Sequence, residues 1–225
     1  MENRQPASTH EEACERVASL FASRWLRYYT VSKLRSDPVF AAAYEIFRSS
    51  KEPILDVGCG VGLLAFYLRE RGLGQPITGL DADARKIRKA CEVARNRYRD
   101  LEFIERDVRA PIPGFRGTVA VLDLVHYLEP ARQGTLLEEV ASFVSPGGVL
   151  VLRDCPRDKS IRYWLTHAGE IFAQAISWNL RTALHFPTHA SIYAAFPTEE
   201  FTSSETPSWG STPFNNRLFV FRRKL

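Results

Sequence analysis

The sequence predicts an α/β protein: a mostly parallel sheet with helices on both faces. Two observations carry that prediction. Strand-like apolar runs alternate with helical patterns from about residue 53 to 155, as expected of strands joined by crossover helices. The first run, Ile54-Leu55-Asp56-Val57, passes through Gly58-Cys59-Gly60-Val61-Gly62 into Leu63, Leu64, Phe66, Tyr67 and Leu68 at helical spacing. Glycines permit a tight turn and let a ligand approach the backbone with no Cβ in the way. A ligand held there sits at a helix N-terminus, beyond the carboxyl end of a strand.

The elements follow in order. Residues 1 to about 10 read as disordered. Val17, Leu20, Phe21, Arg24 and Tyr28 then recur at helical spacing. Asp37 caps a further helix that runs through Phe47, with Pro38 in its first turn. Ile77-Thr78-Gly79-Leu80-Asp81 is a second strand, ending in a carboxylate 21 positions after Gly60. Such a carboxylate can accept hydrogen bonds from two ribose hydroxyls. A helix from Asp83 to Arg99 places Ile87, Cys91, Ala94 and Tyr98 on one face and most of its basic side chains opposite. That basic face reads either as a solvated surface or as a dock for an acidic partner such as a carrier protein.

Phe103 to Val108 reads as a third strand ending in Asp107, and Val119 to Leu124 as a fourth, followed by His126-Tyr127-Leu128. Ser145-Pro146-Gly147-Gly148 turns into a fifth strand, Val149 to Leu152, with Arg153 and Asp154 at its end. An insertion of about residues 158–197 carries a helical stripe of Ile161, Trp164, Leu165, Ala168, Ile171, Phe172, Ala175 and Ile176. Phe201 to Trp209 and Leu218 to Phe221 supply the last two strands.

The glycine spacing narrows the ligand. A dinucleotide fingerprint needs glycines at its first, third and sixth positions. Counting from Gly58, the sixth position is Leu63. The run Asp56-x-Gly58-x-Gly60-x-Gly62 instead resembles the first motif of class I S-adenosylmethionine (SAM) methyltransferases; the bland alternative is a purely structural strand-to-helix turn. The downstream carboxylates and the turn at Ser145 match that class in order and spacing. The resemblance implies a Rossmann-like fold, with a seven-stranded, mostly parallel sheet and an antiparallel C-terminal strand, the last two strands forming a hairpin at the sheet edge. It also implies SAM as cofactor, held by Asp56, Gly58, Cys59, Gly60, Asp81, Ala82, Asp107, Val108 and Asp123. Asp107 would accept from the adenine amino group, and its neighbour would pack on the ring. Residues 1–50 become a helical lid and 51–225 the methyltransferase domain.

Bulk properties agree. A chain of 225 residues with 45% hydrophobic content suits a single sizeable core. No apolar run reaches the length of a membrane span, and Met1 to Glu12 lacks the apolar core of a signal peptide. Cys14, Cys59, Cys91 and Cys155 are widely spaced and read as reduced thiols of a cytoplasmic protein. A net charge of +4 does not by itself imply nucleic acid, and no RNA-binding module is recognisable.

Methyl transfer from a sulfonium needs alignment, and a base where the acceptor carries a proton. His126 is the candidate base, with packing under the cofactor as the alternative. No cluster demands a metal, although Asp123 and His126 leave room for one. Tyr29, Arg153 and Trp164 are expected near the substrate, covered by the N-terminal helices and the insertion. Tyr28, Lys33, Arg35, His167, Trp178, His185 and His189 are further polar or aromatic candidates. Arg153-Asp154 reads alternatively as an ion pair, and Asn215-Asn216 as a turn. The Asn-Pro-Pro-Tyr type motif of amino-group methyltransferases is replaced by Asp123-Leu124-Val125-His126, which weakens a nucleic-acid reading.

Lys33 to Pro38, Leu122 to Leu128, Arg153-Asp154, His185-Phe186-Pro187, Trp209-Gly210 and Thr212 to Asn216 are similar to a subgroup of methyltransferases found with bacterial aryl-polyene pigment biosynthesis. That resemblance implies a phenolic or aryl-polyene substrate, free or on an acyl carrier, methylated at oxygen or ring carbon. A SAM-binding partner protein without transferase activity is the alternative from a different class.

Overall fold

A computed structural model describes residues 5–95, 97–175 and 182–225. The chain forms two compact units, Met1–Asp107 and Val108–Leu225.

In the first unit, helices α1 (His10–Ser19), α2 (Arg24–Ser36) and α3 (Val39–Phe47) precede β1 (Ile54–Val57), α4 (Leu63–Glu70), β2 (Ile77–Asp81), α5 (Ala84–Ala94) and β3 (Leu101–Glu105). The strands lie in the order β3-β2-β1 and are parallel, with Ile54 opposite Ile77 and Ile77 opposite Leu101. All four residues of β1 are buried, whereas β3 buries only Phe103, as an edge strand should.

The N-terminal helical region divides in two because both halves are capped. Thr9 accepts from the Glu12 N–H to start α1, and Ser23 accepts from the Leu26 N–H to start α2. Between them Phe21 turns inward, its ring 6.3 Å from that of Phe66 on α4. Residues 7–10 depart from the expected disorder. Ala7 is buried and donates its N–H to Glu70 O at 2.6 Å, and His10 Nδ1 lies 2.8 Å from the Tyr67 hydroxyl. Residues 1–4 lie outside the described residues. Asp37 caps as expected, its Oδ1 accepting from the Val39 N–H at 3.1 Å.

Several boundaries differ from the sequence reading: the fourth strand stops at Leu122 rather than Leu124 and the sixth at Pro207 rather than Trp209. β3 ends at Glu105, not Asp107, because its partner β2 ends at Asp81: Asp81 O accepts from the Arg106 N–H and the ladder stops there. The basic helix ends at Ala94 rather than Arg99 and buries Ile87, Ala90, Val93 and Ala94. Its Cys91 is only half-buried.

In the second unit, β4 (Thr118–Leu122) leads through a 3-10 turn (Val125–Tyr127) into α6 (Pro130–Phe143), β5 (Val149–Asp154), α7 (Ile161–Ala175), α8 (His189–Tyr193), β6 (Phe201–Pro207) and β7 (Arg217–Arg223). The strand order is β4-β5-β7-β6. β4 and β5 are parallel, and β7 runs antiparallel to both β5 and β6. The terminal hairpin at the sheet edge is therefore present, with β6 outermost. β5 is buried along its whole length, so the unit is built around it. The insertion holds α7 and α8, and the expected Ile176 and Trp178 fall outside the described residues. α7 is pinned to the β6–β7 connection. Thr166 Oγ1 accepts from the Asn215 N–H at 2.8 Å, and the Arg162 guanidinium lies 4.3 Å over the Trp209 ring.

One glycine ties the turn after β1 to β3. Gly62 caps α4 at φ +81, and a Cβ there would come within 2.7 Å of the Phe103 ring. Gly62→Ala combines a left-handed backbone with overpacking. It is expected to destabilise the fold by about 1–3 kcal/mol, read from the midpoint of urea unfolding. An unchanged midpoint would mean that the Phe103 ring simply gives way.

Candidate active site

The first unit presents the glycine-rich edge. Leu80 O accepts from the N–H groups of both Gly58 and Cys59, at 2.7 and 2.9 Å, which holds the turn onto the neighbouring strand. Gly58, Gly60 and Gly62 all adopt positive φ. Asp81, at the end of β2, reaches back: its Oδ2 accepts from the Gly60 N–H at 2.9 Å and its Oδ1 from the Asp83 N–H at 2.8 Å. A Cβ on Gly60 would meet nothing within 4 Å, so the backbone there faces open space.

Asp56, at the end of β1, is buried, and its Oδ2 has no hydrogen-bond partner. Burial, assisted by the Asp81 charge, pushes its carboxyl up to about 7. Burial likewise keeps the Cys59 thiol protonated, well above its ordinary range. Ala82 and Asp107 are half-buried. Tyr29 stacks on Trp25 along α2, with ring centroids 5.6 Å apart.

The second unit gathers charged groups at the ends of β4 and β5. Asp123 follows β4 at φ 54, a conformation that a non-glycine residue holds only when its surroundings impose it. The imposing partner is Arg153. Its carbonyl accepts from the Asp123 N–H at 2.9 Å, and its guanidinium grips the Asp123 carboxylate in a two-pronged pair, Nε to Oδ1 at 2.8 Å and Nη2 to Oδ2. The Arg153 side chain is 1% exposed. Arg153 and Asp154 therefore do not form the ion pair that their adjacency suggests. Neighbours on a strand point to opposite faces, and Asp154 serves His126 instead.

His126 Nδ1 lies 2.8 Å from Asp154 Oδ1, and the His126 N–H donates to Asp154 Oδ2 at 3.3 Å. Asp154 also accepts from the Cys155 N–H, so its carboxylate is an acceptor that holds a proton on Nδ1. Phe186 stacks on the imidazole, centroids 5.2 Å apart, and His126 O accepts from the His185 N–H. Gln133 Nε2 donates to the carbonyls of Val125, Leu128 and His185, which fastens the 3-10 turn to the His185 segment. On the far side, Glu170 Oε2 stands 3.9 Å from His126 Nε2 and accepts from the Tyr127 hydroxyl. Burial alone would lower the His126 pKa. The carboxylates of Asp154 and Glu170 outweigh it and hold the ring up to about 10.

Thus Asp56, Gly58, Cys59, Gly60 and Asp81 come together in the first unit, and Asp123 with Arg153 in the second. Val108 is buried. Trp164 is 62% exposed and its ring contacts those of Tyr163 and His167, which contact Phe186. Glu170 and Gln133 escaped the sequence reading, and Tyr127 entered it only as part of the run after the fourth strand. Glu170 stands in a helix whose pattern is otherwise read for its apolar stripe, and nothing local marks it. Among the described residues, no three His, Cys, Asp or Glu are grouped to hold a metal ion, and no helix is long and apolar enough to cross a membrane.

Residues 54–148 match the methyltransferase domain family. The fold is shared with the magnesium protoporphyrin IX methyltransferase of Synechocystis PCC 6803, solved with bound SAH, at a TM-score of 0.62 and 16% identity over 98% of this chain and 90% of that one. The architecture is that of a Rossmann-like class I methyltransferase. Among curated proteins the chain is 28% identical to the demethylmenaquinone methyltransferase of Deinococcus radiodurans, over 88% of this chain and 86% of that enzyme. It is also 28% identical to a ubiquinone biosynthesis O-methyltransferase of Pectobacterium atrosepticum, covering 66% of this chain and 62% of that enzyme's length. The protein is a SAM-dependent methyltransferase, with S-adenosylmethionine as its cofactor.

The raised His126 has a consequence for stability. The folded protein keeps the proton up to about pH 10, whereas an unfolded histidine releases it near 6.5. The stabilisation is complete below pH 6.5 and drains away as pH rises toward 10. Urea unfolding of the parent and of His126→Gln across that window is expected to show a falling parent curve that the variant flattens. Parallel curves would mean that His126 titrates normally.

Proposed function

We propose that this enzyme methylates a small molecule at a phenolic hydroxyl or the ring carbon it activates, with His126 and Asp154 as its acid–base pair. The observation that carries the reading is the buried His126, oriented by Asp154 directly after β4 and raised to about 10. A phenol titrates near 10, so the two groups match in proton affinity, and the ring serves as a base once it has lost its own proton, as pH rises toward 10. Similarity to an O-methyltransferase of ubiquinone biosynthesis supports an oxygen acceptor. The finer reading is a phenolic or aryl-polyene substrate, free or carried on an acyl carrier protein, in the cytoplasm.

The residues of the first unit suit the cofactor. The buried, unpartnered Asp56 Oδ2 offers a carboxylate to a ligand ammonium, and each Asp81 oxygen keeps a lone pair for a ribose hydroxyl after serving Gly60 and Asp83. Gly58, Cys59 and Gly60 would line the amino-acid portion, Ala82, Asp107 and Val108 the adenine, and Asp123 the far side. Bound SAM supplies a methyl group on a sulfonium, already joined to a good leaving group. On this reading residues 1–50 are the lid segment, and Tyr29, Arg153 and Trp164 are the candidate substrate contacts.

Two measurements test this. Asp81→Ala is expected to weaken SAM binding by about one to three kcal/mol, the range for lost charge-assisted hydrogen bonds; calorimetry with unchanged affinity would remove Asp81 from the site. His126→Ala is expected to bind SAM normally and to turn over a confirmed phenol about a hundredfold more slowly or worse. His126→Asn, which can hydrogen-bond but cannot take a proton, should be equally slow. Near-normal rates in both would reduce His126 to packing.

A further inference from the structure

His126 is too enclosed to meet an acceptor directly. Its side chain is 3% exposed, that of Asp154 is 0%, and Nε2 has no hydrogen-bond partner. Glu170, carried on α7, is 23% exposed. Its Oε2 is 3.9 Å from Nε2, one small side-chain movement from a hydrogen bond, and the Tyr127 hydroxyl donates to that same oxygen. One carboxylate thus stands beside the buried ring and is itself partly exposed.

Building on the proposed methylation of a proton-bearing acceptor, we infer that Glu170 is the outer member of a proton relay, Glu170–His126–Asp154. Glu170 receives the acceptor's proton and passes it to His126 Nε2, while Tyr127 fixes the receiving carboxylate. Basicity divides the labour. A carboxylate titrating near 4 cannot retain a proton taken from a phenol near 10. His126 can retain it, because Asp154 and Glu170 overcome the opposing effect of burial. The groups facing the ring are Asp154 from β5, Glu170 from α7 and Tyr127 beside it, with Phe186 stacked on one face; Asp123 adds its charge at Tyr127.

The step balances. The acceptor O–H bond breaks, its electron pair stays on oxygen and forms the bond to the methyl carbon, and the methyl–sulfur electron pair leaves with sulfur. His126 enters the step neutral, its Nε2 proton first given through Glu170 to solvent as pH rises toward 10; the acceptor's proton then rests on Nε2 and leaves by the same route. α7 thereby becomes part of the reaction centre rather than only a cover over it.

The test pairs two readouts on the full chain. In substrate-free protein, an NMR titration of 15N-labelled histidine follows His126 in the parent, Glu170→Gln and Glu170→Asp. The pH profile of kcat is then measured with SAM and a panel of phenols. Glu170→Gln is expected to move the His126 titration to lower pH by about one pH unit, through loss of a nearby negative charge. The same variant should lower kcat about a hundredfold at unchanged SAM affinity, and Glu170→Asp should recover part of both. A His126 titration that does not move, with normal kcat in Glu170→Gln, overturns the relay. Should the parent turn over no phenol, the functional reading fails separately. The titration then decides the coupling: a moved curve upholds it and an unmoved one removes it.

Discussion

Asp154 is the constraint on which the second unit depends. Its carboxylate is fully buried at the end of a fully buried strand, and burying a charge there is costly unless donors surround it. Three N–H groups do so: the His126 ring, the His126 backbone and the Cys155 backbone. Satisfying that one carboxylate dictates the ring orientation and the path of the chain after β4. Gln133 and the His185 segment then brace the turn from behind.

The first unit solves a different problem, how to leave backbone open for a ligand while keeping a core closed. Its turn is held to β2 by two N–H groups on one carbonyl, and Asp81 reaches across to Gly60. Around it, packing leaves no room. A Cβ on Gly79 would stand 2.7 Å from the Phe103 ring and 2.8 Å from Cys59 Sγ, and Gly62 is similarly crowded. The edge strand β3 thus contributes one buried ring that presses two glycines into place. Asp56 is left with a buried, unpartnered oxygen, and a polar group in that condition raises the free energy of the ligand-free protein. A cationic group brought against that oxygen would relieve the penalty.

The class, the strand sequence and the glycine-rich turn were legible in the chain. They depend on local patterns: apolar runs of strand length, glycines at fixed spacing, carboxylates at strand ends and a capping Asp37. These follow from dihedral preference and the alternation of side chains, which a short window of sequence already contains. The boundaries of β3 and α5 were less legible, because a strand ends where its partner ends, and the partner lies far away in sequence.

The sequence by itself determined that a histidine follows the fourth strand and that an arginine and an aspartate close the fifth. Tertiary structure decided how they pair: Arg153 with Asp123 across 30 positions, His126 with Asp154 across 28, and Tyr127 with Glu170 across 43. Adjacent residues on a strand face opposite sides, so sequence neighbours were the wrong partners to choose. The parallel register of β4 and β5 and the docking of α7 selected the right ones, and that choice turned scattered side chains into a charged, buried group able to hold a proton.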